Sequence, residues 1–118
     1  HSFYEADYEE GLSKLDSLIG SHQGHPSLPA LLINKALFHS QLSEDEKAIA
    51  VLEQAIELNP CSYLAYFNLA SIQIRNNQDA EAFGNLCCCL SIMHLISAKM
   101  TKSLEEVDKA LKLAENNL

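Results

Sequence analysis

The sequence predicts an all-α repeat protein, a solenoid of antiparallel helix pairs, and three observations predict it. Two segments overlay at an offset of 34 residues: Asn34 falls on Asn68, Ala36 on Ala70, Ala48 on Ala82, Leu52 on Leu86, Ile56 on Leu90 and Leu58 on Ile92. A fixed period of this size marks units too small to bury their own apolar faces, which stack on their neighbours instead. Apolar residues recur at helical spacing, and no segment reads as a strand. The links are short apart from residues 20–26, and short links make neighbouring helices antiparallel.

About six helices follow in order. The first runs from about Tyr4 to Ile19, with Tyr8, Leu12, Leu15, Leu18 and Ile19 on one face. Gly20, Gly24 and Pro26 open a flexible loop. Ser27 caps the second helix, whose first turn holds Pro29, where a missing N–H costs nothing. Its apolar face carries Leu32, Ala36 and Leu37. Ser43-Glu44-Asp45-Glu46 reads as a capping box for the third helix. That helix turns Ala48, Ile49, Leu52, Ala55 and Ile56 inward and stops at Pro60. The fourth, Ser62 to about Arg75, presents Tyr66, Leu69, Ala70 and Gln73 on one side. Asn76 to Asp79 makes the next turn, capped by Asp79 or Asn77. The fifth buries Phe83, Leu86, Cys89, Leu90 and Met93. A sixth, about Ser97 to Asn116, carries Met100, Leu104, Val107, Leu111 and Ala114 as a single stripe. It is expected to fold onto the second repeat as a C-terminal cap, with Lys109 and Lys112 on its wet side. The chain then reads as one domain, 1–118: a half repeat at 4–19, repeats at 29–62 and 63–96, and the capping helix at 97–116.

With 118 residues, 47% of them hydrophobic, the chain can bury a core of its own. Its formal net charge of −8 repels nucleic acid and anionic membrane, so neither is an expected partner. The longest apolar stretch, Leu86 to Ile96, is too short for the roughly 18–20 residues of a bilayer span. The acidic first ten residues do not resemble a signal peptide. The start at His1 rather than Met leads us to expect a processed or excised piece. Cys87, Cys88 and Cys89 are consecutive and cannot all pair with one distant partner, and the fourth cysteine is Cys61. A reduced, intracellular and cytoplasmic setting is expected.

The pattern resembles the tetratricopeptide repeat family. Segment 29–62 supplies Leu32, Ala36, Ala48, Leu52, Ala55 and Pro60, closing on Ala-Ile-Glu-Leu-Asn-Pro. Segment 63–96 supplies Tyr66, Leu69, Ala70, Ala82 and Leu86, with Cys89 where alanine is usual and His94 where proline is usual. Lys35 and His39 depart from the leucine and tyrosine of the pattern. Asp7-Tyr8-Glu9-Glu10-Gly11-Leu12 resembles the start of a second repeat helix whose partner is missing. The apolar face so exposed is a surface for self-association. The resemblance implies a non-catalytic protein-interaction module that binds a peptide or helix in its concave groove. An architectural fragment or subunit of a longer solenoid is the alternative.

The concave wall then draws on Ile33, Asn34, Leu37, Gln41, Leu64, Phe67, Asn68, Ser71, Ile74 and Arg75, with Lys102 one period beyond Asn68. An amide there can donate to and accept from the backbone of an extended peptide. The resemblance also raises the clamp with which some members hold chaperone C-terminal carboxylates. Asn68 and Lys102 match it, whereas Ile33, Leu37 and Ala98 do not, so the wall suits an apolar ligand better. Cysteines 87–89 point about 100° apart on a helix and cannot converge on one ion. Cys89 reads as a core residue, and Cys87 or Cys88 as an outward candidate for palmitoylation. His1, His22, His25, His39 and His94 fall in no ligand spacing. The acidic cluster Glu5, Asp7, Glu9 and Glu10 suits a helix start. No nucleophile or phosphate-loop motif is present, and no cofactor or metal is expected.

Overall fold

The computed structural model describes residues 3–116, with side chains from Asp7 onward. His1 and the Glu5 side chain lie outside the described residues. Five helices follow one another: α1 (Phe3–Ser21), α2 (Leu28–Gln41), α3 (Asp45–Leu58), α4 (Tyr63–Arg75) and α5 (Asp79–Asn116). No strand occurs among the described residues. Each helix packs on the next, and α2 also touches α4, as two first helices of stacked hairpins do. The fold class is a tetratricopeptide-like α-solenoid.

Small residues set how closely the helices approach. Ala36, Ala48, Ala55, Ala65 and Ala70 are all fully buried, and Leu32 and Leu52 fill the space between them. Each of those leucines contributes about 2 kcal/mol by leaving water. At the α1–α2 contact the small residue is Gly11, where a Cβ would stand 3.3 Å from Phe38 Cζ. Tyr8 meets the same ring edge-on, with centroids 5.6 Å apart.

The turns repeat as closely as the core does. Ser43 and Asn77, one period apart, adopt φ of 61° and 62°. At the first turn Glu44 N–H donates to His39 O at 2.9 Å and Ser43 N–H to Ser40 O at 3.0 Å. At the second, Gln78 N–H donates to Gln73 O at 2.8 Å and Asn77 N–H to Ile74 O at 3.1 Å. This is the Schellman closure of a helix C-terminus. It corrects the expected capping box: Ser43 ends α2 in the left-handed region, and the N-cap of α3 is Glu44, without a side-chain bond. Ser27 stands at the N-cap of α2, but its hydroxyl bonds His25 Nδ1 at 2.7 Å rather than the helix. Ser62 does cap α4, accepting from Ala65 N–H at 3.3 Å.

Four expectations for the C-terminal third are corrected. The fifth and sixth helices are one continuous helix of 38 residues, with no breaker between His94 and Met100 to stop it. Residues 93–116 are exposed throughout, so the segment does not cap its own repeat and instead lengthens the molecule to 69 Å. Within α5 only Ala82 and Cys89 are buried, while Phe83, Leu90 and Met93 are 71%, 57% and 47% exposed. The apolar stretch is also longer than expected. By length and composition alone α5 could cross a membrane, with an 18-residue window of mean hydropathy 1.3, of which 11% is buried. Asn, Ser and His dilute that window without ending it.

Candidate functional site

The exposed sides of α2 and α4 form the candidate site. Their buried sides are fixed by Leu32, Ala36, Ala65 and Leu69, and the opposite residues are left facing outward. On α4, Leu64, Phe67 and Ile74 are 50%, 50% and 52% exposed, which is unusual for large apolar side chains in succession. Ser71 lies exposed among them and spends its hydroxyl on Phe67 O at 3.0 Å. Asn68 is half-buried at the edge of this row. On α2, Leu37 is 42% exposed, and Asn34 and Gln41 are exposed beside it.

Asn34, Leu37 and Gln41 join Tyr8, Leu15 and Phe38 around an apolar hollow of about 350 Å³ between α1 and α2. Tyr8 and Leu15 belong to the expected inner face of α1, whereas Phe38 was not foreseen as a wall residue. Its signal was its period partner, Ile72, which is buried and shows that this register faces another helix. A larger hollow of about 680 Å³ lies over the first turn. It is lined mainly by polar residues, Ser43, Glu44, Glu46 and Lys47 among them, with Ile49 as the one large apolar side chain.

Two of the expected wall residues are placed elsewhere. Ile33 is 9% exposed and belongs to the core cluster that joins α2, α3 and α4. Lys102 lies on the exposed half of α5, not on the first helix of a third pair, so no Asn34–Asn68–Lys102 ladder forms. Arg75 is at the expected place but is already engaged. Its Nη2 lies 2.6 Å from Asp45 Oδ1 and donates to Ser40 Oγ at 2.9 Å, which ties the end of α4 to the first turn. Lys35 pairs with Asp16 at 2.8 Å between α2 and α1. The middle of the wall is thereby left apolar, with its nearest cations neutralised.

The titratable groups are structural in arrangement. Lys47 Nζ donates to Glu44 Oε2 at 2.8 Å, and His39 Nδ1 lies 3.2 Å from Glu44 Oε1. The hydrogen bond from Lys47, and then the one from His39, hold the Glu44 carboxyl below the usual carboxylate range. The same bond from Glu44 raises Lys47. Buried Gln73 is satisfied by Asn85, whose Nδ2 donates to Gln73 Oε1 at 2.7 Å. Cys61, Cys87 and Cys88 are exposed and Cys89 is buried, as the helical register required. No three His, Cys, Asp or Glu side chains converge on a common point among the described residues.

No curated protein matches the chain. Residues 29–60 match the tetratricopeptide repeat family, and residues 51–84 match it through a second family model. Repeats of this family are generally protein–protein interaction modules and generally non-catalytic. The two matches cover the α2–α3 hairpin, α4 and the start of α5, the stretch in which the 34-residue period, the buried alanines and the paired turns coincide. The two matches together span residues 29–84, just under half of the chain, and support its resemblance to the tetratricopeptide repeat family.

Proposed function

We propose that the chain is a non-catalytic interaction module that takes an apolar, helical segment of a partner protein against the exposed sides of α2 and α4. The observation that carries this reading is the row Leu64, Phe67 and Ile74, continued by Leu37, in which each side chain is about half exposed. A helix offers apolar residues at every third and fourth position, and this row has the matching spacing. Asn68, at the edge of the row, supplies a donor and an acceptor for orientation. The formal charge of −8 favours a partner with basic flanks and disfavours nucleic acid. A role as one section of a longer solenoid is the second reading. It is supported by Phe83 and Leu90, which are exposed on the stacking side of α5.

The experiment is a comparative pulldown. Phe67→Asp and Leu37→Asp should each remove the same partner while leaving the melting temperature within about 2 °C, because both side chains already face water. Retention of every partner by both variants refutes the groove.

A further inference from the structure

The exposed half of α5 has a partner written into the repeat. Ile49 and Ile56 on α3 correspond, one period on, to Phe83 and Leu90 on α5. Ile49 and Ile56 are partly buried and pack against the core, where α4 stacks over α3. Phe83 and Leu90 carry larger or equal side chains at the same register, yet nothing among the described residues stacks over α5. The surface is shaped for one more helix, antiparallel to α5.

The free half of the same helix supplies that helix chemistry. From Phe83 onward one exposed apolar stripe keeps a strict heptad: Leu90, Met93, Met100, Leu104, Val107 and Leu111 follow at the two inward positions of each seven, while Leu95, Ile96 and Leu113 lie off it. Sustained over about four heptads, this is the period of a helix that packs along another helix, not of one lying on a broad surface. Unbroken at residues 94–100, α5 carries residues 97–116 away from its own stacking face.

We propose that α5 pairs antiparallel with α5 of a second copy of this chain, so that residues 97–116 of each copy cap the second repeat of the other. One register places the stripe opposite itself and sets its largest side chain against its smallest. Phe83 meets Ala114 of the partner subunit, Leu90 meets Val107 of the partner subunit, and Met93 meets Leu104 of the partner subunit. Met100 lies over Ser97 of the partner subunit, the single polar residue in the stripe. The large side chains of this stripe are 47–71% exposed over about four heptads, a continuous apolar face of the kind a second helix covers. Charge agrees with the orientation. Residues 97–116 hold four lysines against Glu105, Glu106, Asp108 and Glu115, whereas the remainder carries the whole −8. The antiparallel arrangement lays a neutral tail on an acidic body and keeps the two bodies at opposite ends. A membrane-surface helix would instead be expected to be rich in Lys and Arg on its polar face.

Sedimentation equilibrium of the 118-residue chain should give a dimer with a dissociation constant of about 1–10 μM. The double variant Leu104→Asp, Leu111→Asp should weaken it at least about 100-fold while the urea midpoint of the body stays in place. A wild-type chain that remains monomeric at roughly 200 μM overturns the proposal, whether the tail then binds lipid vesicles or folds back on its own repeat. A dimer that survives the double variant also overturns it and places the contact on α1. Orientation is read separately with nitroxide labels, after Cys61, Cys87 and Cys88 are replaced by Ser. A label at Lys99→Cys should report a short distance between copies and one at Glu81→Cys roughly 50 Å, from the rise of 1.5 Å per residue. Short distances at both sites mean a parallel pair and refute the cap in trans.

Discussion

Replacing Ser43 by Gly should stabilise this protein, and the sign of that change separates two accounts of the first turn. If Ser43 were the N-cap of α3, its hydroxyl would satisfy a backbone donor, and Gly would lose a few tenths of a kcal/mol. The observed geometry makes Ser43 the residue that closes α2, at φ 61°, with Glu44 bonded back to His39. A Cβ in that region costs about 1–2 kcal/mol. Gly removes this strain but costs about 0.5–1 kcal/mol through the added entropy of the unfolded chain. Ser43 is exposed, so few contacts are lost. The net gain is about 0.5–1 kcal/mol, or roughly 2–4 °C in melting temperature for a chain of this size. Asn77 sits at the same φ one period later, but asparagine tolerates the region, so Asn77→Gly should gain less. Urea unfolding followed by circular dichroism reads both, with the midpoint rising and the slope unchanged. A midpoint that stays or falls for Ser43→Gly, or a larger gain for Asn77→Gly, would show that the turn is not strained as described.

Ala82→Leu should cost about 1–3 kcal/mol by overpacking the α4–α5 contact, where Ala82 is 1% exposed, and an unchanged melting temperature would refute that contact. In the folded protein a thiol reagent should label Cys61, Cys87 and Cys88 rapidly and Cys89 only on unfolding, and a fast fourth thiol would mean α5 is rotated. Glu44 has a depressed folded pKa, so its contribution is present above its ordinary value of 4.5 and is lost as pH falls through the lower folded value. Glu44→Gln should therefore reduce the difference in urea midpoint between neutral and strongly acid solution; an unaltered difference would remove the His39–Glu44–Lys47 cluster from the acid response.

The elements that could be read from the residues are those in which local and tertiary signals agree. In the α2–α3 hairpin, the alanines at 36, 48 and 55 and the leucines at 32 and 52 are buried as the period required. The sequence reading fails where one local signal has two meanings. Ser43 followed by Glu46 has the spacing of a capping box, yet the same serine closes the preceding helix. The apolar stripe of residues 100–114 says that a helix must be covered but not which surface covers it. Only the absence of a breaker near 94–100 bears on that, and absence is a weak signal. Helical spacing puts Phe83 and Leu90 on the inward face of α5, and their period partners Ile49 and Ile56 do pack against the core. The register is right, and the exposure differs because burial depends on a neighbouring helix, and no described helix of the same chain stacks on that side of α5. On the candidate site, Leu37, Leu64, Phe67 and Ile74 were legible as outward positions of a first helix. Ile33 was not, since its period partner Phe67 is exposed and only the stacking of α4 on α2 separates the two.

The two apolar surfaces of this chain answer different geometries, and they do not compete. The row on α2 and α4 lies on the first helices of the pairs, whereas Phe83 and Leu90 lie on the side of α5 that corresponds to the stacking side of α3. A helix laid on the second surface leaves the first open. If two copies join through α5 as proposed, they would present the proposed binding face at opposite ends of the joined helices, with none of its residues buried in the joint. Bound to a ligand that carries two target segments, such a pair gains from effective concentration as well as from contact, provided the segments can span the distance. The Leu104→Asp, Leu111→Asp variant then has a second expected effect. It should leave affinity for a single segment unchanged and reduce affinity for a tandem ligand by at least about tenfold. Equal losses for both ligands would mean that the tail of α5 itself contacts the segment, and the separation of the two surfaces would fall.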